Sequence, residues 1–433
     1  MEGIILTLAS LIAFSCGMRL WQFNVYSRIF IFDLLSIVFV FGVLSYYFLG
    51  KKTIVLRKEL KYFVILQWMF LFIMLISGVD IIVASAGTDS FSQYFKAIFS
   101  WSFHTLFFTL FILYLSNIKS SGRNTVLRFY IGGVIFSCLY GLFQMAIWKY
   151  YNINVDNYIW NQISYGTEQT FYDTPNWGVM GITRGVGFPG VNAAATYVVT
   201  IIPILMLRAS FRSRFKNVIL IIIAFSGLLA TMSRTGLVSF GVAVLFLIIL
   251  ERRRLFSFIK ILLMIIVPLG YLGYVWWEYI SEVLKFRSHI DYSRLALFKG
   301  AIHLFYQNPL LGIGANNYSV ARFSLPNTFF HDANVHNSWL TILVELGLVG
   351  LLFKIAFFVY MICVASRRKS VVSRAFICTI IGLLAGAFFN QVFDLFYFNF
   401  YVTLFFVVVV MMDKMPAAHA TGILATGCVP SCA

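Results

Sequence analysis

The chain has 433 residues, of which 61% are apolar and only 11% charged. No water-soluble surface can be built from that mixture, so soluble multi-domain enzymes and nucleic-acid-binding modules are excluded. The net charge of +17 is then a question of membrane topology before it is one of anionic partners.

A bilayer crossing takes roughly 20 residues, and the apolar residues suffice for about ten to twelve. Long apolar runs predict an all-α, polytopic membrane protein of about twelve helices, near residues 3–18, 29–49, 62–79, 97–116, 129–148, 191–207, 217–232, 235–250, 259–277, 339–362, 375–391 and 395–412. The first run leads into Arg19 and a second apolar run, without a small-residue cleavage site. It reads as a retained helix and not as a signal peptide.

Alternate loops are basic. Those at 51–61 (Lys51, Lys52, Arg57, Lys58, Lys61), 117–128, 208–216, 251–260 (Arg252, Arg253, Arg254, Lys260) and 363–374 (Arg367, Arg368, Lys369, Arg374), with Lys414, hold 21 of the 33 Lys and Arg. Short basic loops stay cytoplasmic, which predicts both termini on that side. Only Glu2, Glu59, Glu251 and Asp413 oppose them there, so the whole excess of +17 is an orientation signal.

The layout that follows is helices one to five over 1–148, an outer loop at 149–190, helices six to nine over 191–277, a second outer loop at 278–338, helices ten to twelve over 339–412 and a cytoplasmic tail at 413–433. Both outer loops are too long to be simple connectors. Their aromatic residues, among them Tyr150, Tyr151, Tyr158, Trp160, Trp177, Phe305, Tyr306 and Phe329, suit a folded cap or an interface layer. Short amphipathic helices are expected there, for example around Tyr292 to Tyr306. Cys16, Cys138, Cys363 and Cys378 lie in or beside apolar runs as small hydrophobes, and Cys428 and Cys432 lack the further ligands a metal site needs.

Four stretches interrupt the apolar pattern. Gly185-Val186-Gly187-Phe188-Pro189-Gly190 matches G-x-G-x-x-G in letters, but no strand of a soluble βαβ unit precedes it, so it reads as an outer-face turn with Arg184 beside it. Met232-Ser233-Arg234-Thr235-Gly236 is the turn between the seventh and eighth helices. Arg234 there is either a snorkelling interfacial charge or a functional one. In the second loop Ser293-Arg294 opens a helical pattern that runs to Asn308-Pro309-Leu310-Leu311-Gly312-Ile313-Gly314. His331 and His336 follow. They stand five apart, which does not place them on one helix face for a metal. His336 is either an interfacial side chain or a general base suited to neutral pH.

Outward arginines with one histidine suit a single kind of chemistry. Guanidinium groups grip a diphosphate bidentately, and imidazole can take a proton from an attacking hydroxyl. No Asp-x-Asp pair is present to hold a nucleotide sugar through a metal.

These residues resemble the O-antigen ligases and the related O-antigen or exopolysaccharide polymerases of bacterial envelopes. The likeness spans roughly residues 180–355. It runs through Arg184-Gly185-Val186-Gly187 with Asn192-Ala193-Ala194, Thr231-Met232-Ser233-Arg234, Ser293-Arg294 with Asn308 to Gly314, and His336-Asn337 followed at the family's spacing by Gly347 and Gly350. The resemblance implies about twelve helices and a glycosyltransferase of the inner membrane working at its periplasmic face without metal, nucleotide or other cofactor. Arg234 and Arg294, with Arg184 as a further donor-site arginine, would bind the diphosphate of an undecaprenyl-diphosphate-linked glycan. His336 would activate the acceptor hydroxyl. Asn337 would start a helix, and Gly347, like Gly350, Gly312 and Gly314, would be a structural motif residue, with Gly347 allowing close helix contact.

The two sizeable outer loops favour a polymerase, whose acceptor is another lipid-linked repeat unit. The His-Asn…Gly…Gly pattern is ligase-like, and a ligase's acceptor is lipid A-core. The partners so implied are these glycans, membrane lipids, a chain-length regulator and a flippase, with no nucleic acid. A transporter of lipid-linked glycan is the reading from another class, with Asp33, Glu345, Lys354 and Asp394 as its candidate charges. Glu345 and Lys354 stand nine apart, on roughly opposite faces of one helix.

Overall fold

The computed structural model describes residues 2–15, 31–50, 55–79, 89–151, 191–209, 214–231, 233–252, 294–325, 335–393 and 396–411, with the isolated positions 81, 259, 263 and 270. All regular structure among them is helical. In chain order the helices are α1 (Glu2–Ser15), α2 (Ile31–Gly50), α3 (Lys58–Ser77), α4 (Asp89–Asn117), α5 (Ser120–Tyr151), α6 (Val191–Val199), α7 (Ile202–Ala209), α8 (Arg214–Ala230) and α9 (Arg234–Leu250). They continue with α10 at 294–307, the single turn α11 (Tyr318–Ala321), then α12 (Ser338–Ser366), α13 (Val371–Gly386) and α14 (Phe396–Met411).

Four of these, α3, α4, α5 and α12, contain stretches long and apolar enough to cross a bilayer. The shorter apolar helices lie at α1, α2, α6 with α7, α8, α9, α13 and α14. Helices thus stand over the apolar runs read from the sequence, except that most of 259–277 and of the loop at 149–190 lies outside the described residues. The sixth run is two helices rather than one. Pro203 has no N–H to continue the ladder, and Thr200 and Ile201 bond three residues back, to Tyr197 and Val198 at 3.2 and 3.3 Å.

Polar contacts mark one end of the bundle. Arg57, before α3, donates to the Val410 carbonyl at the end of α14. Arg368, after α12, pairs with Glu59 at 2.6 Å. Arg374, early in α13, pairs at 2.6 Å with Glu251, just after α9. Tyr114, late in α4, donates to the Glu2 carbonyl at 3.3 Å. The basic loop residues therefore gather where α1, α3 and α13 begin and where α4, α9, α12 and α14 end. Arg234, His336 and the start of α4 lie at the opposite end.

Aromatic rings fill the interior. Phe63 lies 5.3 Å from Phe357 and 4.7 Å from Phe406 between ring centroids, and Phe39 packs on Phe107, Phe111 and Tyr114. Such pairs add about 0.5–1.5 kcal/mol each beyond their buried area. The helices α9 and α13 pack closely. A Cβ on Gly386 would overlap the Ser239 hydroxyl, and one on Gly382 would overlap the Ser239 carbonyl. Small residues four apart let two backbones meet where lipid supplies no hydrophobic drive between helices.

Candidate functional site

The start of α12 is anchored on every side. Asn337 is its N-cap, with φ −151° and ψ 111°, and its side chain accepts from the Leu340 N–H at 3.0 Å. An amide oxygen there satisfies one of the helix's orphan donors, worth about 0.5–2 kcal/mol. Ser338 is held harder. Its N–H donates to the Ala387 carbonyl at 2.8 Å, and its hydroxyl bridges the Asn390 carbonyl at 3.0 Å and the Val392 N–H at 2.6 Å. On the other flank Val335 is fully buried in a small apolar cluster with Ala301 and Leu304 of α10, Tyr318 and Val344.

His336 sits between these anchors with φ 55°. Left-handed backbone costs a non-glycine residue roughly 1–2 kcal/mol, and His tolerates it better than branched residues do. Its neighbours hold it there. The imidazole is half-buried.

The glycines of the two separate motifs turn out to form one joint. At Gly347 the backbone of α12 leaves the helix, with φ 66° and ψ −167°, a region open essentially to glycine alone. The break frees the Val344 and Glu345 carbonyls and the Leu348 and Val349 N–H groups. All four pair with the segment 309–314. Ile313 donates to Val344 at 3.0 Å and Gly314 to Glu345 at 2.9 Å, while Leu348 donates to Pro309 at 2.9 Å and Val349 to Leu310 at 3.2 Å. A Cβ on Gly347 would overlap the Leu310 carbonyl, and one on Gly312, with φ 74°, would overlap the backbone of Glu345.

Gly347 is thus not a helix–helix contact, as its small size suggested. It admits a loop backbone into a broken helix, the arrangement by which non-helical backbone is tolerated at membrane depth. Gly350, one turn beyond, lies against the Leu346 side chain. Gly314 stands at φ 89° and ends the inserted segment.

The Glu345 side chain fastens the same joint from above. Its carboxylate accepts from the N–H groups of Asn316 at 2.8 Å and Tyr318 at 3.3 Å, which ties the turn at α11 to α12. The phase of the helix also changes at Gly347. Glu345 and Lys354 do not face opposite ways, as nine residues of continuous helix would have them. Glu345 borders a cavity walled by Phe70 and Trp101, and the Lys354 amine lies 4.4 Å from the Phe70 ring centroid and 5.8 Å from that of Trp101.

Arg234 is the first residue of α9, exposed, and follows the N-cap Ser233, whose hydroxyl accepts from Gly236 at 3.3 Å. A chain of contacts links it to His336. The carbonyl of Thr235 lies 3.2 Å from where a Cβ of Gly386 would stand, and the next residue, Ala387, accepts from Ser338. Arg294, partly exposed, opens α10, which packs through Ala301 and Leu304 on Val335, next to His336. The structure therefore brings Arg234 and His336 to one end of the bundle, and packs α10, which Arg294 opens, against the residue before His336. Arg184 and the glycine run 185–190, like Asp394 and His331, lie outside the described residues. Among the described residues no three His, Cys, Asp or Glu side chains form a group that could hold a metal ion.

The comparison with known families turns on this segment. Residues 219–355 match the O-antigen ligase family model. The match begins in α8, ends just past the break in α12, and takes in Arg234, Arg294, both glycine motifs and His336, which supports membership of the O-antigen ligase and polymerase family. No curated protein matches the chain. The sequence reading missed the role of Glu345 as the fastening of the joint. The signal available was an acid two residues before a motif glycine in an otherwise apolar run.

Proposed function

We propose that the chain polymerises undecaprenyl-diphosphate-linked repeat units into an O-antigen or related surface polysaccharide, at the periplasmic face of the bacterial inner membrane. What supports this reading is the joint itself, with His336 fixed at the head of a broken helix, Arg234 at the same end of the bundle and Arg294 on the helix that packs beside His336. In this reading about twelve helices cross the membrane. The end rich in Arg57, Arg368 and Arg374 is cytoplasmic, and Arg184 is a further contact to the donor.

The reaction is a single displacement. The acceptor hydroxyl oxygen bonds to the anomeric carbon as the bond from that carbon to the diphosphate oxygen breaks. His336 takes the hydroxyl proton, and Arg234 and Arg294 stabilise the charge that develops on the leaving diphosphate. No metal or cofactor takes part.

A second reading, ligation of finished glycan to lipid A-core, is favoured by the description of the matching family as O-antigen ligase. Deleting the gene and running the envelope polysaccharide on a gel separates the two. Core carrying one repeat unit is the result expected of a polymerase. Bare core with long glycan left on the lipid carrier would establish the ligase instead.

A further inference from the structure

Beside the joint lies a cavity of about 370 Å³, within the range of about 300–1,000 Å³ usual for small-molecule sites. It is formed where the end of α3 and the start of α4 meet the first turns of α12 and the segment after Gly314. Its polar lining includes Gln93, Lys96, Ser100, Glu345 and Gln391, and Phe70 and Trp101 give it an aromatic wall.

Three features of this cavity select a ligand class. First, its donors and acceptors are mixed. Asn316 donates its amide to the Gln93 oxygen at 3.2 Å, which leaves the Gln93 NH₂ as a donor, and Gln391 donates to the Thr341 hydroxyl at 3.3 Å, which leaves the Gln391 oxygen as an acceptor. Second, the wall is aromatic. Phe70 and Trp101 meet edge to face at 5.8 Å, and the Lys354 amine lies 4.4 and 5.8 Å from their ring centroids. Third, the cavity lies one helical turn from His336, since Thr341 in its lining donates to the Asn337 carbonyl at 2.9 Å.

A flat aromatic face with interleaved amide, hydroxyl and amine groups matches a sugar ring, which has apolar C–H faces and a rim of hydroxyls that donate and accept. A lipid tail would waste the amides. A bare phosphate would waste the rings.

We infer that this cavity is a saccharide subsite, in which one ring of a glycan stacks on Trp101 while Gln93 and Gln391 bind its hydroxyls. The inference deepens the proposed function and rests on it for the source of the sugar, the donor or the acceptor glycan.

The test uses the full chain in lipid nanodiscs and, as probe, the free repeat-unit oligosaccharide released by mild acid hydrolysis, which carries neither lipid nor diphosphate. Saturation-transfer NMR reads its binding. Wild type and Gly241→Ala, whose added methyl meets nothing within 4 Å, bind it alike. Gln391→Ala weakens binding roughly two- to tenfold, the worth of one hydrogen bond, and Trp101→Ala weakens it by roughly tenfold. Trp101→Phe, which keeps a ring, restores most of it, and Gln93→Ala serves should Trp101→Ala fail to fold.

In turnover, a KM raised for the acceptor with kcat unchanged places the acceptor glycan in the cavity, and a KM raised for the donor places the donor glycan there. Binding by Trp101→Ala, Gln93→Ala and Gln391→Ala equal to wild type overturns the inference. Transfer by His336→Ala would instead overturn the mechanism, whatever the cavity binds.

Discussion

Gly347→Ala is the sharpest probe of the joint, because its effect can be worked from the exchange of bonds at the break. A continuous helix would pair Leu348 with Val344 and Val349 with Glu345, two bonds. The break gives these up for four bonds to 309–314, a gain of two, each worth a net 0.5–1.5 kcal/mol or about 1–3 together. Alanine at φ 66° and ψ −167° adds about 1–3 kcal/mol of strain to the broken form. It also stabilises the continuous form by about 1 kcal/mol relative to glycine. The balance shifts by about 2–4 kcal/mol, roughly 30- to 1,000-fold in population, even before the overlap with the Leu310 carbonyl is counted. The helix should then run straight through residue 347 and expel the inserted segment. Hydrogen exchange on the purified chain reads this directly, as lost protection at the Ile313 and Gly314 amides, and the polysaccharide gel should show product falling with it. Gly241→Ala is the matched control, since nothing lies within 4 Å of its would-be Cβ. Full protection at Ile313 and Gly314 in Gly347→Ala, with normal product, would refute the bond-exchange reasoning.

His336→Ala should abolish transfer while the chain remains inserted and folded, and His336→Asn, which suits the left-handed backbone, should be as inactive at wild-type thermal stability. Normal glycan from either variant removes the imidazole from the mechanism. Arg374→Met should destabilise by about 3 kcal/mol, because it removes an ion-pair partner from a Glu251 side chain only 7% exposed. Arg368→Met should cost under about 1 kcal/mol, because Glu59 is 34% exposed and water screens it. Thermal unfolding in one detergent ranks the pair, and the reverse order would contradict the burial argument.

Helices were legible in the sequence at the long apolar runs that the structure describes, because a bilayer imposes length and hydropathy together. The basic end was legible too, since Arg57, Arg368 and Arg374 fall in alternate loops and contacts of the fold bring them to one end. What stayed hidden were events on single residues inside apolar runs. The run 339–362 reads as one helix by hydropathy, and only backbone pairing with a distant segment reveals the break at Gly347. The error over Glu345 and Lys354 has the same origin. Counting 100° per residue across a hidden break gives the wrong face. The close approach of α9 to α13 at Gly382 and Gly386 stayed hidden as well, because a small-residue pair names no partner helix.

The two glycine motifs, thirty-odd positions apart in the chain, are halves of one structure, and that makes a last prediction. Gly312 must be small because the Glu345 backbone stands where its Cβ would be, and Gly347 must be small because the Leu310 backbone does. Each side of the joint leaves room for the other only if both are glycine. Once Gly347→Ala has straightened α12 and expelled the loop, Gly312 no longer faces Glu345, and its replacement has little left to cost. The double variant Gly312→Ala, Gly347→Ala should therefore be about as unstable as the worse single variant, with a coupling of about 1–3 kcal/mol. Two independent packing contacts would give additive losses in the same unfolding measurement. Additivity would mean that the loop and the broken helix are stable apart, and that His336 is held in place by Ser338 and Val335 without help from the joint.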